Sequence, residues 1–305
     1  MPIIDSKKIA QEGLLEAAKL AALSLHKAPQ ITGRTEVKAV VVTGDAFKPL
    51  MGVMEDIEAL GMEGMLKFPF MPLFLDYTCY KKAMEDGWDP IVIIVGANLN
   101  VSQSGWDCGA CGFPSCREFN KFTRKNKSDG PMLGRGLGKG PSCVMKMLDL
   151  GIACDYVTAC LHNLNVETRA QGTFAIIAQG LEYIPGVSTC ICNPVGPIAE
   201  LYWYSRKPLG GMMPIPASGE IPDMVYQMSL NMFRERHPDA FESLPALTHP
   251  WIKGYGKWWE RPKEYVKIES DAQIDQDTED MTKIFLEAID KRKGEVKKLR
   301  EEGKL

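Results

Sequence analysis

Residues 108–116 read Cys-Gly-Ala-Cys-Gly-Phe-Pro-Ser-Cys, and a further thiol returns at Cys143 in the run Gly140-Pro141-Ser142-Cys143. The spacing is C-x-x-C-x-x-x-x-C with a distant fourth cysteine. Thiols packed on one short loop, with one arriving from elsewhere, match the ligand set of a 4Fe–4S cluster, which four cysteine thiolates hold. The intervening residues suit that task. Gly109, Ala110 and Gly112 let the main chain approach such a cluster closely, and glycine also permits positive φ. Pro114 is expected in the first turn of a helix that carries Cys116 along SCREFNKFTRK. The start of a helix places partial positive charge beside an anionic thiolate. Zinc also takes C-x-x-C, but its structural sites pair two similar knuckles, and only one is present. Cys108, Cys111, Cys116 and Cys143 are therefore the expected metal ligands.

Working outward, the chain has 305 residues, enough for one large domain or two small ones. A hydrophobic fraction of 45%, a charged fraction of 25% and a net charge of −3 give no pull toward nucleic acid or an anionic membrane. Nine cysteines, an odd number, do not look like a secreted disulfide framework. Cys79, Cys154, Cys160, Cys190 and Cys192 sit in apolar surroundings and read as small core residues. No apolar run is long enough to span a bilayer, and Met1 leads into a polar, charged segment, not an apolar signal region. A reduced, cytoplasmic setting is expected.

Periodicity places a helix over residues 6–26, with Ile9, Leu14, Ala17, Ala21 and Leu25 on one face. Val37–Val42 reads as a buried strand, Phe47–Leu60 as a helix inward through Leu50, Val53, Met54 and Ile57, and Asp76–Glu85 as another helix. Pro90–Gly96 is a second buried strand that feeds directly into the cysteine loop. Residues 128–142 form a glycine-rich loop, but GLGKG lacks the spacing of a phosphate-binding loop. Residues 148–163 are apolar almost all round and predict a helix buried on several sides. A helix over Gly172–Tyr183 and a strand over Val187–Cys192 follow, with Cys190 and Cys192 read as facing opposite sides of it. Residues 202–262 are dense in Pro, Met, Gly and aromatics and read as a wrapping segment. Asp277–Leu305 reads as a charged, peripheral amphipathic helix with a frayed tail. His162 reads as a hydrogen-bonded core or cap residue.

The blocks CGACGFPSC, GPSC and DLGIA, in that order, resemble a family of poorly characterised ferredoxin-domain-containing proteins of anaerobes, over roughly residues 5–200. That resemblance implies the same four cysteines as cluster ligands. A fainter resemblance is to the nitroreductase superfamily of FMN enzymes. Lys27-Ala28-Pro29-Gln30 before the first strand is similar to the flavin-phosphate entry of that superfamily, and Asp149-x-Gly151-Ile152-Ala153 to one of its helix motifs. Ile31-Thr32-Gly33-Arg34 stands where those enzymes carry an Asn-x-Gln-Pro turn. This resemblance implies FMN as a second cofactor, with Lys27 and Arg34 holding its phosphate, and a homodimer with the 148–163 helix at its interface.

Together these readings predict an α+β (α/β) fold: a nitroreductase-like mixed sheet flanked by helices over residues 1–200, with an iron–sulfur insertion over about 98–145. Residues 201–305 add an irregular C-terminal extension. The implied function is an iron–sulfur, flavin-containing oxidoreductase that passes low-potential electrons from a ferredoxin-type donor to a small-molecule substrate. The alternative is a non-enzymatic 4Fe–4S electron carrier or accessory subunit without flavin. A corrinoid-associated protein is a third option, but no cobalamin-binding barrel features accompany the motif.

Overall fold

The computed structural model describes residues 5–59, 71–125, 140–196 and 271–305. In chain order these give α1 (Ser6–Ser24), β1 (Val37–Thr43), α2 (Lys48–Glu58), α3 (Met71–Glu85), β2 (Ile91–Ala97), α4 (Cys116–Lys125), α5 (Val144–Asn163), α6 (Thr173–Gly180), β3 (Thr189–Pro194) and α7 (Asp271–Glu301). The glycine-rich 128–139 stretch and the aromatic 202–262 segment, with Trp251, Tyr255, Trp258 and Trp259, lie outside the described residues.

The sheet has three strands in the order β1-β2-β3. Both pairings are antiparallel, with Thr43 opposite Ile91 and Ala97 opposite Thr189. The coarse class, helices with a small sheet, is the expected one. The mixed pairing sense is not observed among the described strands. An apolar run shows that a strand is buried but carries no direction. Here each connection returns the chain to the end of the sheet it left, which makes neighbours antiparallel.

β2 explains why the sheet is covered on both faces. All seven of its residues are buried, and successive side chains of a strand point to opposite faces. Val92 and Ile94 pack on one side with Val42, Cys190, Cys192 and the apolar faces of α2, α3, α6 and α7. Ile91, Ile93, Val95 and Ala97 pack on the other with α1 and α5, through Leu14, Ala18, Ala21, Leu150, Val157 and Leu161. Helices thus sandwich the sheet, and the centre of the first layer is an aromatic row. Tyr80 lies between Phe47 and Phe174, with ring centroids 5.0 and 4.7 Å away.

Several expectations are corrected by this arrangement. β1 is an edge strand and most of it is only half-buried, Val42 excepted. Ile9 lies on the exposed side of α1. The third strand starts two residues later than expected, because Gly186 takes φ 78° and Ser188 donates its N–H to the Ala97 carbonyl before pairing begins. Cys190 and Cys192, two apart, share a face and enter the same core layer. The 148–163 helix extends back to Val144 and is not buried all round: Val144, Met147, Leu148 and Tyr156 are exposed. The last helix is no peripheral tail. Phe285, Ala288, Ile289 and Val296 are buried in the first layer, and a side chain at Gly180 would meet Ile289 at 2.7 Å.

Gly96 of β2 has no room for a side chain. A Cβ there would lie 3.1 Å from Cys190 Sγ, 3.2 Å from the Thr189 carbonyl and 3.3 Å from Val187 Cγ1. One of these neighbours is backbone and cannot swing aside. Gly96→Ala is expected to destabilise the fold by about 1–3 kcal/mol through overpacking, read as a lower urea midpoint at unchanged slope.

Candidate metal centre

The peptide that leaves β2 builds the site. Residues 98–102, Asn-Leu-Asn-Val-Ser, follow the all-apolar strand and expose their polar groups to two incoming helices. The Leu99 carbonyl accepts the Cys143 N–H at 2.8 Å, and Asn100 Nδ2 donates to the Pro141 carbonyl at 2.8 Å. Ser102 is paired twice with Asn120 of α4, its N–H donating to Oδ1 at 2.7 Å and its carbonyl accepting from Nδ2 at 2.8 Å. Ser102 Oγ also donates to Cys116 Sγ at 3.1 Å. The starts of α4 and α5 are therefore tied to one strip of backbone in which Leu99 and Ser102 are three residues apart, a span of at most about 11 Å.

Local capping fixes each helix start. Asp107 accepts the Cys116 N–H at 2.7 Å, and Ser115 Oγ accepts the Glu118 N–H at 3.2 Å. A Ser followed three residues later by Glu is the capping-box pattern, so Ser115 is the cap and Pro114 lies before the helix, not in its first turn. Cys143 is the N-cap residue of α5. Both thiols sit where unpaired N–H groups and the helix dipole favour negative charge.

The 103–115 loop leads from that strip into α4. Gly109 and Gly112 adopt φ 72° and 82°, with open space where a Cβ would stand. The Gly112 N–H closes a tight turn on the Gly109 carbonyl at 2.9 Å, with Cys111 inside it. Phe113 anchors the loop on α4, its ring 5.5 Å from Phe119 and 5.3 Å from Phe122. Cys108 is exposed, Cys111 and Cys116 are partly covered and Cys143 is buried. The Ser102 hydrogen bond is the first cause that holds the Cys116 thiol below its ordinary pKa.

Among the described residues no three His, Cys, Asp or Glu side chains stand together as a metal shell. An ion is what draws anionic ligands into one shell. Ser102 orients Cys116 through the hydrogen bond to its Sγ. The donor set itself suits a cluster: four thiols, two left-handed glycines in the loop, and two helix starts tied to the 98–102 strip.

Two buried polar residues stand on the same helix as Cys143: Lys146, which sequence reasoning missed, and Asp149, which it noticed only as part of a helix motif. Lys146, in the first turn of α5, is only 5% exposed. Its ammonium donates to the Asn98 and Val101 carbonyls at 2.6 and 3.1 Å. Burial is the main cause lowering its pKa, opposed by the negative charge of Cys143, Asp149 and Glu36. Asp149 is 0% exposed and accepts from the Ile31 N–H and from the Thr32 and Thr35 hydroxyls, each at 2.6 Å. The signal for both was their place on the inward face of an otherwise apolar helix, in VMKMLDLGIA.

Lys27 and Arg34 are placed differently from the expected phosphate grip. Lys27 ends a short 3-10 turn and is exposed; Arg34 is exposed and donates its backbone N–H to Thr32 Oγ1 at 3.1 Å. A groove of about 670 Å³ beside β1 is lined by Ala28, Gln30, Thr35 and Lys38 among others, but by neither of these two. His162 is hydrogen-bonded as expected, its ring nitrogen 3.2 Å from the Thr168 carbonyl oxygen. Among the described residues no helix is long and apolar enough to cross a membrane.

Comparison with known proteins bears on this same region. An uncharacterized protein of Archaeoglobus fulgidus is 25% identical over 206 residues, covering 68% of this chain and 98% of that relative. No solved structure matches the chain. Residues 139–196, which run from the approach to Cys143 through α5 and α6 to the end of β3, match the family described as "Uncharacterized protein containing a ferredoxin domain (DUF2148)", the resemblance first read from GPSC and DLGIA.

Proposed function

We propose that this protein is an iron–sulfur electron-transfer protein whose 4Fe–4S cluster is held by Cys108, Cys111, Cys116 and Cys143. The observation that carries the reading is the 98–102 strip, which ties Cys116 and Cys143 to adjacent backbone, with Cys108 and Cys111 on the loop that runs into Cys116. The match to a ferredoxin-domain family supports it. A cluster so bound supplies a one-electron relay. The chain's own contributions are separate from that chemistry. Two helix starts offset thiolate charge, Ser102 donates to one sulfur, and the left-handed glycines let backbone N–H groups close in. Cys108 and Trp106 are exposed, so the loop faces the surface where a ferredoxin-type partner would exchange electrons. The placement of Lys27 and Arg34 does not favour a flavin, so the reading is the carrier form and not the flavoenzyme.

The test is anaerobic reconstitution with iron and sulfide, followed by metal and acid-labile sulfide analysis and a visible spectrum. The wild-type chain is expected to take up both in near-equal amounts with broad absorption. Cys143→Ala should weaken iron binding by more than the roughly 10–100-fold typical of losing a supporting side chain. Cys160→Ala, further along α5, should leave it unchanged. Full iron and sulfide in Cys143→Ala would assign the fourth ligand elsewhere.

A further inference from the structure

The charge of Lys146 is in a costly place. A buried ammonium loses hydration that only partners restore, and the first turn of a helix is the end whose dipole disfavours a cation. Its two carbonyl partners, Asn98 and Val101, satisfy hydrogen bonding but carry no net charge. The carboxyl one turn on, Asp149, is already engaged by Ile31, Thr32 and Thr35. Cys143, the N-cap residue of α5 and a proposed cluster ligand, stands three residues before Lys146.

We infer that Lys146 is a positioning and charge-balancing residue for the metal centre, raising its reduction potential from beneath the Cys143 side. This rests on the cluster reading above. Reduction adds one electron, and hence one negative charge, to an already anionic thiolate shell. A fixed cation held by two carbonyls in a low-dielectric setting stabilises that added charge more than the oxidised state. Lys146 also joins the first turn of α5 to the strip that orients Cys116, so its stem and its charge have separable roles.

The experiment compares reconstituted wild type with Lys146→Gln, Lys146→Arg and Lys146→Met. Iron and sulfide are measured first, then the midpoint potential by redox titration. Gln retains a donor for one carbonyl without the charge, Arg retains the charge, and Met removes both. The expected result is full iron in the Gln variant with the one-electron equilibrium displaced at least tenfold toward the oxidised form, 59 mV by the one-electron conversion. The Arg variant should stay within threefold of wild type. A Gln variant that loses iron while the Arg variant keeps it also supports the charge requirement. Wild-type potential in an iron-replete Gln variant overturns the inference and leaves Lys146 a structural tie. Absence of iron and sulfide from reconstituted wild type overturns the cluster reading itself, a separate failure seen before any potential is measured.

Discussion

Asp149→Ala should destabilise the protein by about 3–5 kcal/mol, because three donors converge on one buried carboxyl and would be left facing apolar side chains. The Ile31 N–H and the Thr32 and Thr35 hydroxyls each approach it at 2.6 Å, and Thr35 is itself buried. The alanine leaves both a void and stranded polar groups, and the second cost dominates. Asp149→Asn keeps the volume and one acceptor oxygen and should recover about half of the loss. Urea unfolding of the three proteins checks this. An alanine variant within about 1 kcal/mol of wild type, the size of one ordinary hydrogen bond, would show that the 30–35 turn is held by something else. Iron uptake is expected to persist in any folded Asp149 variant, since the strip under the cysteines does not pass through that turn.

Phe285→Ala should cost about 3–5 kcal/mol, the usual range for truncating a fully buried aromatic side chain. Phe285 is 0% exposed and lies in the layer that contains Leu50, Met54 and Val296. The ion pair beside it is a weaker hold. Arg292 meets Asp56 through Nε and Nη2 at 2.9 and 3.0 Å, and both groups are about one-fifth exposed. Water screens such a pair, so its loss is worth about 1 kcal/mol or less. Unfolding free energies of Phe285→Ala and Arg292→Met therefore rank the two interactions. Equal losses would mean that α7 is held by charge and not by packing.

Much of the scaffold was legible because it obeys simple periods. The all-apolar run of β2 could only be a strand covered on both faces, and Leu50, Val53, Met54 and Ile57 were read correctly as the inward face of α2. Strand direction was not legible, since pairing depends on where a connection returns. The docking of α7 was misread because its surface is dense in Lys and Glu. Its amphipathic pattern was recognised, but four apolar residues over three turns, Phe285, Ala288, Ile289 and Val296, are buried and decide its place. The metal-centre cysteines announced themselves through spacing, but the residues that orient them did not. Asn98, Asn100, Ser102 and Asn120 have no motif of their own, and their importance follows from backbone groups they meet only after folding. The Asp149 motif and the Ile31–Arg34 turn were noticed separately. That one carboxyl joins them required three dimensions.

The middle strand continues without a break into the residues that hold Cys116 and Cys143, whereas Cys108 and Cys111 ride on a surface turn. The two pairs of sulfurs therefore differ in mechanical character. One pair takes its position from backbone continuous with the buried central strand; the other sits on a turn closed by a single backbone hydrogen bond. In the proposed cluster, adjustment to the ion would fall on the second pair, and the sheet behind would be spared the movement.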